Sequence, residues 1–198
     1  MKKKYLALLL GMLVMSMFVM TACGKDDDVK VVNKLPQNST DKTQTDKGTE
    51  KTDDKELKGY IFQVKVGSQN VSVTTDLDMA EVLDELGKAN SYFESASCAF
   101  QGLDKVYTYD HFQIETYPDG KKDRICTIVL LDDLIETPEG ISIGMTEQDV
   151  EKAYGTDFED IKGMKVYTKD ESHLAFVIRD GVIESIQYYS AVLDSVEQ

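Results

Sequence analysis

Hydrophobic and polar residues alternate with a period of two along much of residues 58–198. The alternation is clear in residues 111–117 and 173–179, and each of these stretches leads into an Asp-Gly pair. Alternation of this kind is typical of β-strands that bury one face, and Asp-Gly is a common hairpin turn. The pattern therefore predicts antiparallel hairpins.

Two short segments carry the end signals of helices instead. In both, an N-cap residue is followed three positions later by an acid and nine positions later by a glycine: Asp78, Glu81 and Gly87 in one, Thr146, Asp149 and Gly155 in the other. A capping residue and a following acid satisfy the first amides of a helix, and glycine favours its C-terminal end. Two short amphipathic helices are predicted.

The elements recur in the same order. Each helix is followed by Lys-Val-Tyr-Thr, at 105–108 and 165–168, then by a His-containing hairpin and an apolar strand. This order predicts a tandem duplication of a helix–β–β–β unit, with repeat 1 at about 58–133 and repeat 2 at about 134–190. Strands with one apolar face need a cover, so we expect an α+β fold in which an antiparallel sheet packs on short helices.

The start of the chain has a different character. Three lysines precede an apolar run that ends at Met20-Thr21-Ala22-Cys23. This segment resembles a bacterial lipoprotein signal, which implies a signal peptide over 1–22 and acylation of Cys23. The alternative is an ordinary cleaved signal with a cysteine present by chance. Residues 23–57 contain few large apolar side chains, and we interpret them as a lipid-anchored, disordered linker to a domain at 58–198.

The chain is acidic, with a formal net charge of −14. Nucleic acid is disfavoured as a partner, because phosphate contacts need clustered Lys and Arg. Basic proteins, cationic peptides and divalent cations remain compatible with this charge, which also serves the solubility of an exported protein.

Gly140-Ile141-Ser142-Ile143-Gly144 matches the nucleophile pattern G-x-S-x-G. In that motif the helix starts directly after the serine, whereas here the predicted helix starts five residues later, at Glu147. We interpret the segment as an extended stretch and turn that precede the helix. No catalytic residue is assigned, and we predict that the protein is not an enzyme.

The remaining chemistry-bearing residues are few. Cys98 and Cys126 form a candidate disulfide in an oxidising compartment, with two buried, reduced thiols as the alternative. His111 and His173 occupy matching positions in the repeats and lack the clustered ligands of a zinc site. We predict no metal and no cofactor.

Tyrosines are frequent in the predicted strands. By alternation, about half of them should point away from the helices. An exposed tyrosine surface suits protein binding, while core packing is the alternative. The candidate binding face consists of Tyr107, Tyr109, Tyr117, Tyr167, Tyr188 and Tyr189.

The segment at 139–146, EGISIGMT, with Val150 and Gly155 after it, resembles the helix-start motif of two related families. One is the small β-barrel-assembly lipoproteins of the outer membrane, and the other is the secreted β-lactamase inhibitor proteins. Both are similar tandem repeats of a helix and antiparallel strands. The resemblance implies that architecture and places the chain among exported lipoproteins of unknown role.

These features together predict a lipoprotein on the extracytoplasmic face of the cell membrane, anchored through Cys23. Its domain is expected to act as a protein-binding module for an envelope or extracellular protein. The alternatives are an envelope hydrolase and an accessory lipoprotein that binds a small molecule or cation.

The lipid anchor can be tested by metabolic labelling with palmitate. We expect the label to appear in the native chain and to be lost in Cys23→Ala, because the thiol is the acylated group. Cys98→Ala is the matched control and should keep the label. Label that persists in Cys23→Ala would contradict the anchor.

Overall fold

A computed structural model describes residues 57–195 of the chain. The predicted signal peptide, Cys23 and the linker up to residue 56 lie outside the described residues. Within them, 48% of residues are in strands or bridges and 15% are helical.

The first half begins with a hairpin and one helix and continues with four strands. Its elements are β1 (Phe62–Val66), β2 (Gln69–Val73), α1 (Met79–Leu86), β3 (Ser91–Ala96), β4 (Leu103–Thr108), β5 (Phe112–Asp119) and β6 (Lys122–Leu130). The second half has one helix, four strands and a terminal 3-10 helix. They are α2 (Glu147–Tyr154), β7 (Glu159–Ile161), β8 (Met164–Lys169), β9 (Ser172–Arg179), β10 (Val182–Ser190) and η1 (Ala191–Ser195).

The strands form two antiparallel sheets. Strands β1 and β2 pair with each other, and the other eight lie in the order β3-β4-β5-β6-β10-β9-β8-β7. The last strands of the two halves, β6 and β10, meet in the middle through residues 127–129 and 187–189. The strand order of the second half is therefore the reverse of that of the first. We call the β6–β10 pairing the seam.

The predicted α+β fold class is wrong, because the chain forms a β-rich fold with two short helices. The predicted helix–β–β–β unit is wrong as well, since four strands follow each helix. The additional strands are β3 and β7, which lie at the two edges of the large sheet. Their sequences, SYFESA and EDI, are short and largely polar, as is common for edge strands, and they lack a clear apolar alternation.

One face of the eight-stranded sheet forms the core. We call it the inner face. A row of cross-strand neighbours runs over it through seven strands, and each member is at most 6% exposed: Tyr92, Tyr107, Ile114, Ile128, Tyr188, Leu174 and Tyr167. The hairpin β1–β2 helps the helices cover this face, since Phe62 and Val73 are fully buried in the same cluster as Val82 and Val150. Two eight-residue helices alone are too short to cover eight strands.

Both helix ends are confirmed where the sequence predicts them. Asp78 caps α1 by accepting a hydrogen bond from the amide of Ala80, at 3.2 Å. Thr146 and Asp149 form a reciprocal capping box on α2. Gly87 and Gly155 end the helices with φ angles of 74° and 86°, a region that favours glycine.

Removing the cap hydroxyl in Thr146→Ala should lower the free energy of unfolding by about 1 kcal/mol, because the amide of Asp149 loses its side-chain acceptor. Urea denaturation measures the change. Thr146→Ser keeps the oxygen and should stay close to the native value. Equal losses in both variants would contradict the capping role.

Candidate functional site

The second face of the large sheet, which we call the outer face, is much less buried than the inner face. One row on it runs through Phe93, Val106, Glu115, Thr127, Tyr189, His173 and Thr168. The adjacent row crosses all eight strands through Ser91, Thr108, Gln113, Val129, Gln187, Ala175, Val166 and Glu159. Eleven of these fifteen side chains are half-buried or exposed. None of them belongs to the buried hydrophobic core, which includes residues of both α-helices.

The predicted tyrosine face does not form. Tyr107, Tyr109, Tyr117, Tyr167 and Tyr188 are each no more than 9% exposed. Only Tyr189 lies half-buried on the outer face, with its ring stacked on His173 at 4.6 Å between centroids. Alternation predicted two faces for each strand, but it did not indicate which face the helices and the hairpin would cover.

The two histidines hold equivalent contacts in the two halves. His111 Nδ1 lies 2.6 Å from a carboxylate oxygen of Asp132, and His173 Nε2 lies 3.1 Å from one of Asp194. In both pairs the aspartate is 21 residues after the histidine and follows the last strand of its half. The hydrogen bond from His111 holds the pKa of Asp132 below its usual range. The matching histidines were predicted from the sequence, whereas the aspartates were not, although both lie 21 residues after their histidine.

Thr168 completes an array of hydroxyl, imidazole and carboxylate, because its Oγ1 lies 2.9 Å from His173 Nδ1. These are the functional groups of a hydrolytic triad. Here both ring nitrogens of His173 are engaged, and the bond to Asp194 ties the terminal 3-10 helix to the sheet. The arrangement therefore explains how this helix is held.

Ser142 lies in the turn that the sequence predicts. It is 9% exposed, and its backbone amide faces the sulfur of Met145 at 3.3 Å. The next two residues form a turn, and α2 begins at Glu147. The interpretation of this segment as a structural turn is confirmed.

A cleft of about 550 Å³ lies between the start of the domain, the 74–77 loop and the β8–β9 turn. Asp76 lines it with a φ angle of 66°, which is unusual for a residue other than glycine. Its carboxylate accepts hydrogen bonds from Ser190 at 2.9 Å and Tyr117 at 3.3 Å. Arg124 donates to the backbone carbonyl of Asp76 at 2.7 Å. These contacts join the 74–77 loop to β5, β6 and β10.

Burial is the main influence on the Asp76 carboxyl and raises its pKa above the usual range. The hydrogen bonds from Ser190 and Tyr117 and the charge of Arg124 oppose this shift, whereas Glu171 adds to it. Asp170 and Glu171 also line the cleft, together with Lys58. Arg124 lines it as well, so three carboxyl groups outnumber two cations, and the pocket volume lies in the range of small-molecule sites.

Cys98 and Cys126 are both free thiols, so the candidate disulfide is not formed. Cys98 is exposed and Cys126 is buried, yet both line one cavity of about 240 Å³. Burial raises the pKa of Cys126 to about 12, which keeps this thiol protonated and weakly reactive.

Within residues 57–195, no group of three or more His, Cys, Asp or Glu side chains is placed to hold a metal ion. In the same part of the chain, no helix has the length and apolar character needed to cross a bilayer.

Comparison with protein-family models, curated proteins and solved structures found no match for this chain. The resemblance of 139–146 to the helix-start motif of the assembly lipoproteins and inhibitor proteins therefore stays a prediction.

Asp76→Asn should change the pH dependence of stability. A raised pKa means that the folded state holds the proton more tightly, so the contribution of Asp76 is present at low pH and lost as pH rises through the folded pKa. The free energy of unfolding of the native chain, minus that of Asp76→Asn, should be larger at about pH 3 than at about pH 7. Urea denaturation at both pH values measures it.

Asp84→Asn, on the exposed side of α1, is the matched control for the loss of a carboxylate. If the free energy of unfolding of the native chain minus that of Asp76→Asn is larger at neutral than at acidic pH, burial is not the dominant influence on the pKa of Asp76.

Proposed function

We propose that this chain is a lipid-anchored extracytoplasmic lipoprotein that binds another protein through the outer face of its large sheet. The two half-exposed rows across the outer face carry this proposal. They combine aliphatic and aromatic side chains, such as Val106, Val129 and Tyr189, with amides such as Gln113 and Gln187. Such a mixture suits a protein interface, where apolar contacts are interleaved with hydrogen bonds.

The charge of this face indicates the kind of partner. Glu115 and Glu159 are members of the two rows, and Asp194 lies next to His173 with its side chain 57% exposed. The chain as a whole carries −14. A partner with clustered Lys or Arg on its surface is therefore favoured, because complementary charge speeds association and selects the correct partner.

The predicted anchor at Cys23 and the predicted linker at 23–57 support this role. A flexible linker lets a domain on a membrane reach a partner without a fixed orientation. The envelope hydrolase is less favoured, because Ser142, the serine of the G-x-S-x-G pattern, is only 9% exposed and precedes a turn rather than a helix.

A second candidate function is the binding of a small cationic molecule in the Asp76 cleft. The specific observation is a pocket of about 550 Å³ that is lined by Asp76, Asp170 and Glu171. An amine would gain carboxylate contacts there. The cleft and the outer face are lined by different residues, so the two functions can be tested separately.

Protein binding can be tested with a photo-crosslinking amino acid placed at Gln113 or Gln187 on intact cells. A matched probe at Glu85 occupies the exposed side of α1. We expect one protein to be captured from the two outer-face positions and not from Glu85. Equal capture from all three positions would contradict the outer face as the binding surface.

The captured protein should then be purified and its affinity measured. We expect Glu115→Lys to weaken binding about tenfold, equivalent to about 1.4 kcal/mol, because it places a like charge against a basic partner. Glu85→Lys makes the same change of charge on α1 and should leave the affinity unchanged. Unaltered or tighter binding by Glu115→Lys would overturn the charge argument.

A further inference from the structure

The cavity that contains both free thiols opens next to the outer face. Three of its lining residues, Val106, Glu115 and Thr127, are also members of the outer-face row that includes Tyr189. A β-bulge contributes to the cavity: Glu115 pairs with Thr127, and the next residue pairs with Ile125, so Cys126 is left without a cross-strand neighbour. The cavity is therefore continuous with the surface proposed to bind a protein.

Part of the wall of this cavity is apolar. Ala99 and Phe100 come from the loop after β3, and Leu193 comes from the terminal 3-10 helix. The ring of Phe100 packs on that of Tyr117 with 4.7 Å between centroids. Cys126 adds a buried thiol that donates to the carbonyl oxygen of Glu115, with 3.4 Å between sulfur and oxygen. An apolar group would therefore be desolvated on several sides in this cavity.

One polar group of the lining lacks a hydrogen-bond partner. Thr116 is 1% exposed, and its hydroxyl has no hydrogen-bond partner. Buried hydroxyls in folded proteins are nearly always paired, so an unpaired one requires a specific explanation. This hydroxyl is itself closed off from solvent, so it offers no polar contact to an occupant of the cavity.

The rim of the cavity is acidic. Asp104 and Glu115 both line it, and burial raises the pKa of Asp104. The neighbouring cation, Lys105, is already engaged by Asp123, with 2.6 Å between the Nζ and a carboxylate oxygen. A cation supplied from outside would compensate the partly buried carboxylate of Asp104, and the chain itself places no lysine or arginine other than Lys105 among the lining residues.

The volume restricts what can occupy the cavity. At about 240 Å³ it is smaller than the clefts that hold drug-sized ligands, which begin at roughly 300 Å³. A cavity of this kind can hold one buried side chain, the type of group that anchors protein interfaces.

We propose that this cavity receives one apolar side chain of the protein partner, of leucine or phenylalanine size, with a lysine or arginine beside it that meets Asp104 and Glu115. This inference rests on the proposed protein-binding function and adds to it a position for the anchor residue. We call the cavity the anchor pocket.

The anchor pocket can be tested without the partner, because the exposed thiol of Cys98 lines it. In the Cys23→Ala chain, Cys98 is allowed to exchange with small disulfides that deliver a phenylethyl, an aminoethyl or a hydroxyethyl group. The concentration of reductant that releases half of each adduct is measured by mass spectrometry. We expect the phenylethyl adduct to need about tenfold more reductant than the hydroxyethyl adduct, a preference of about 1.4 kcal/mol.

Two variants test whether the preference arises in the anchor pocket. Phe100→Ala and Leu193→Ala remove apolar walls that come from different elements, and each should reduce the phenylethyl preference. A thiol placed on α1 by Glu85→Cys in a Cys98→Ser background is the matched control and should show no preference. Equal retention of the phenylethyl and hydroxyethyl adducts at Cys98, or an unchanged preference in both variants, would overturn the proposal.

The partner experiment separates this inference from the proposed function. If Gln113 and Gln187 capture a partner while Cys98 shows no apolar preference, the outer face binds and the anchor pocket is wrong. A preference at Cys98 without any capture would contradict the proposed function and leave an apolar pocket whose occupant is not a partner protein, which also overturns the inference. A crosslink from the pocket rim to another segment of this chain would overturn it as well.

Discussion

The pairing of β6 with β10 is the contact on which the rest of the structure depends. Only residues 127–129 and 187–189 form this seam, yet it joins two groups of four strands into one sheet. Without it, the row of core side chains from Tyr92 to Tyr167 would be divided between Ile128 and Tyr188. Each half would then expose apolar surface that the intact sheet buries.

The seam is short because the 76–78 segment takes the place of β10 beside the other end of β6. The amide of Asp76 donates to the carbonyl of Ile125 at 2.7 Å, and the amide of Ile125 donates to the carbonyl of Leu77 at 2.9 Å. This arrangement brings Asp76 to Ser190, 114 residues away in the chain. The Asp76 cleft is thus a consequence of how the halves meet, and its partly buried carboxylate helps to hold them together.

Joining the halves also creates two faces with different roles. The inner face is closed by the helices and the β1–β2 hairpin, and its core cluster contains four of the six tyrosines that the sequence suggested for binding: Tyr107, Tyr109, Tyr167 and Tyr188. The outer face keeps half-exposed valines and amides, the two free thiols border its cavity, and the terminal 3-10 helix is tied to it through Asp194 and His173. A surface that is continuous, acidic and lined with partly exposed apolar groups is suited to a basic protein partner.

The sequence by itself determined what depends on near neighbours. The helix ends at Asp78 and Thr146, the hairpin turns and the turn around Ser142 follow from contacts within a few residues, so local patterns predict them. The number of strands was underestimated, because β3 and β7 are edge strands without strong alternation. Only the tertiary structure decided which face of each strand is buried, how β6 finds β10, and that Cys98 and Cys126 share a cavity. These features depend on residues far apart in the chain, whose pairing is selected by burial of the whole core.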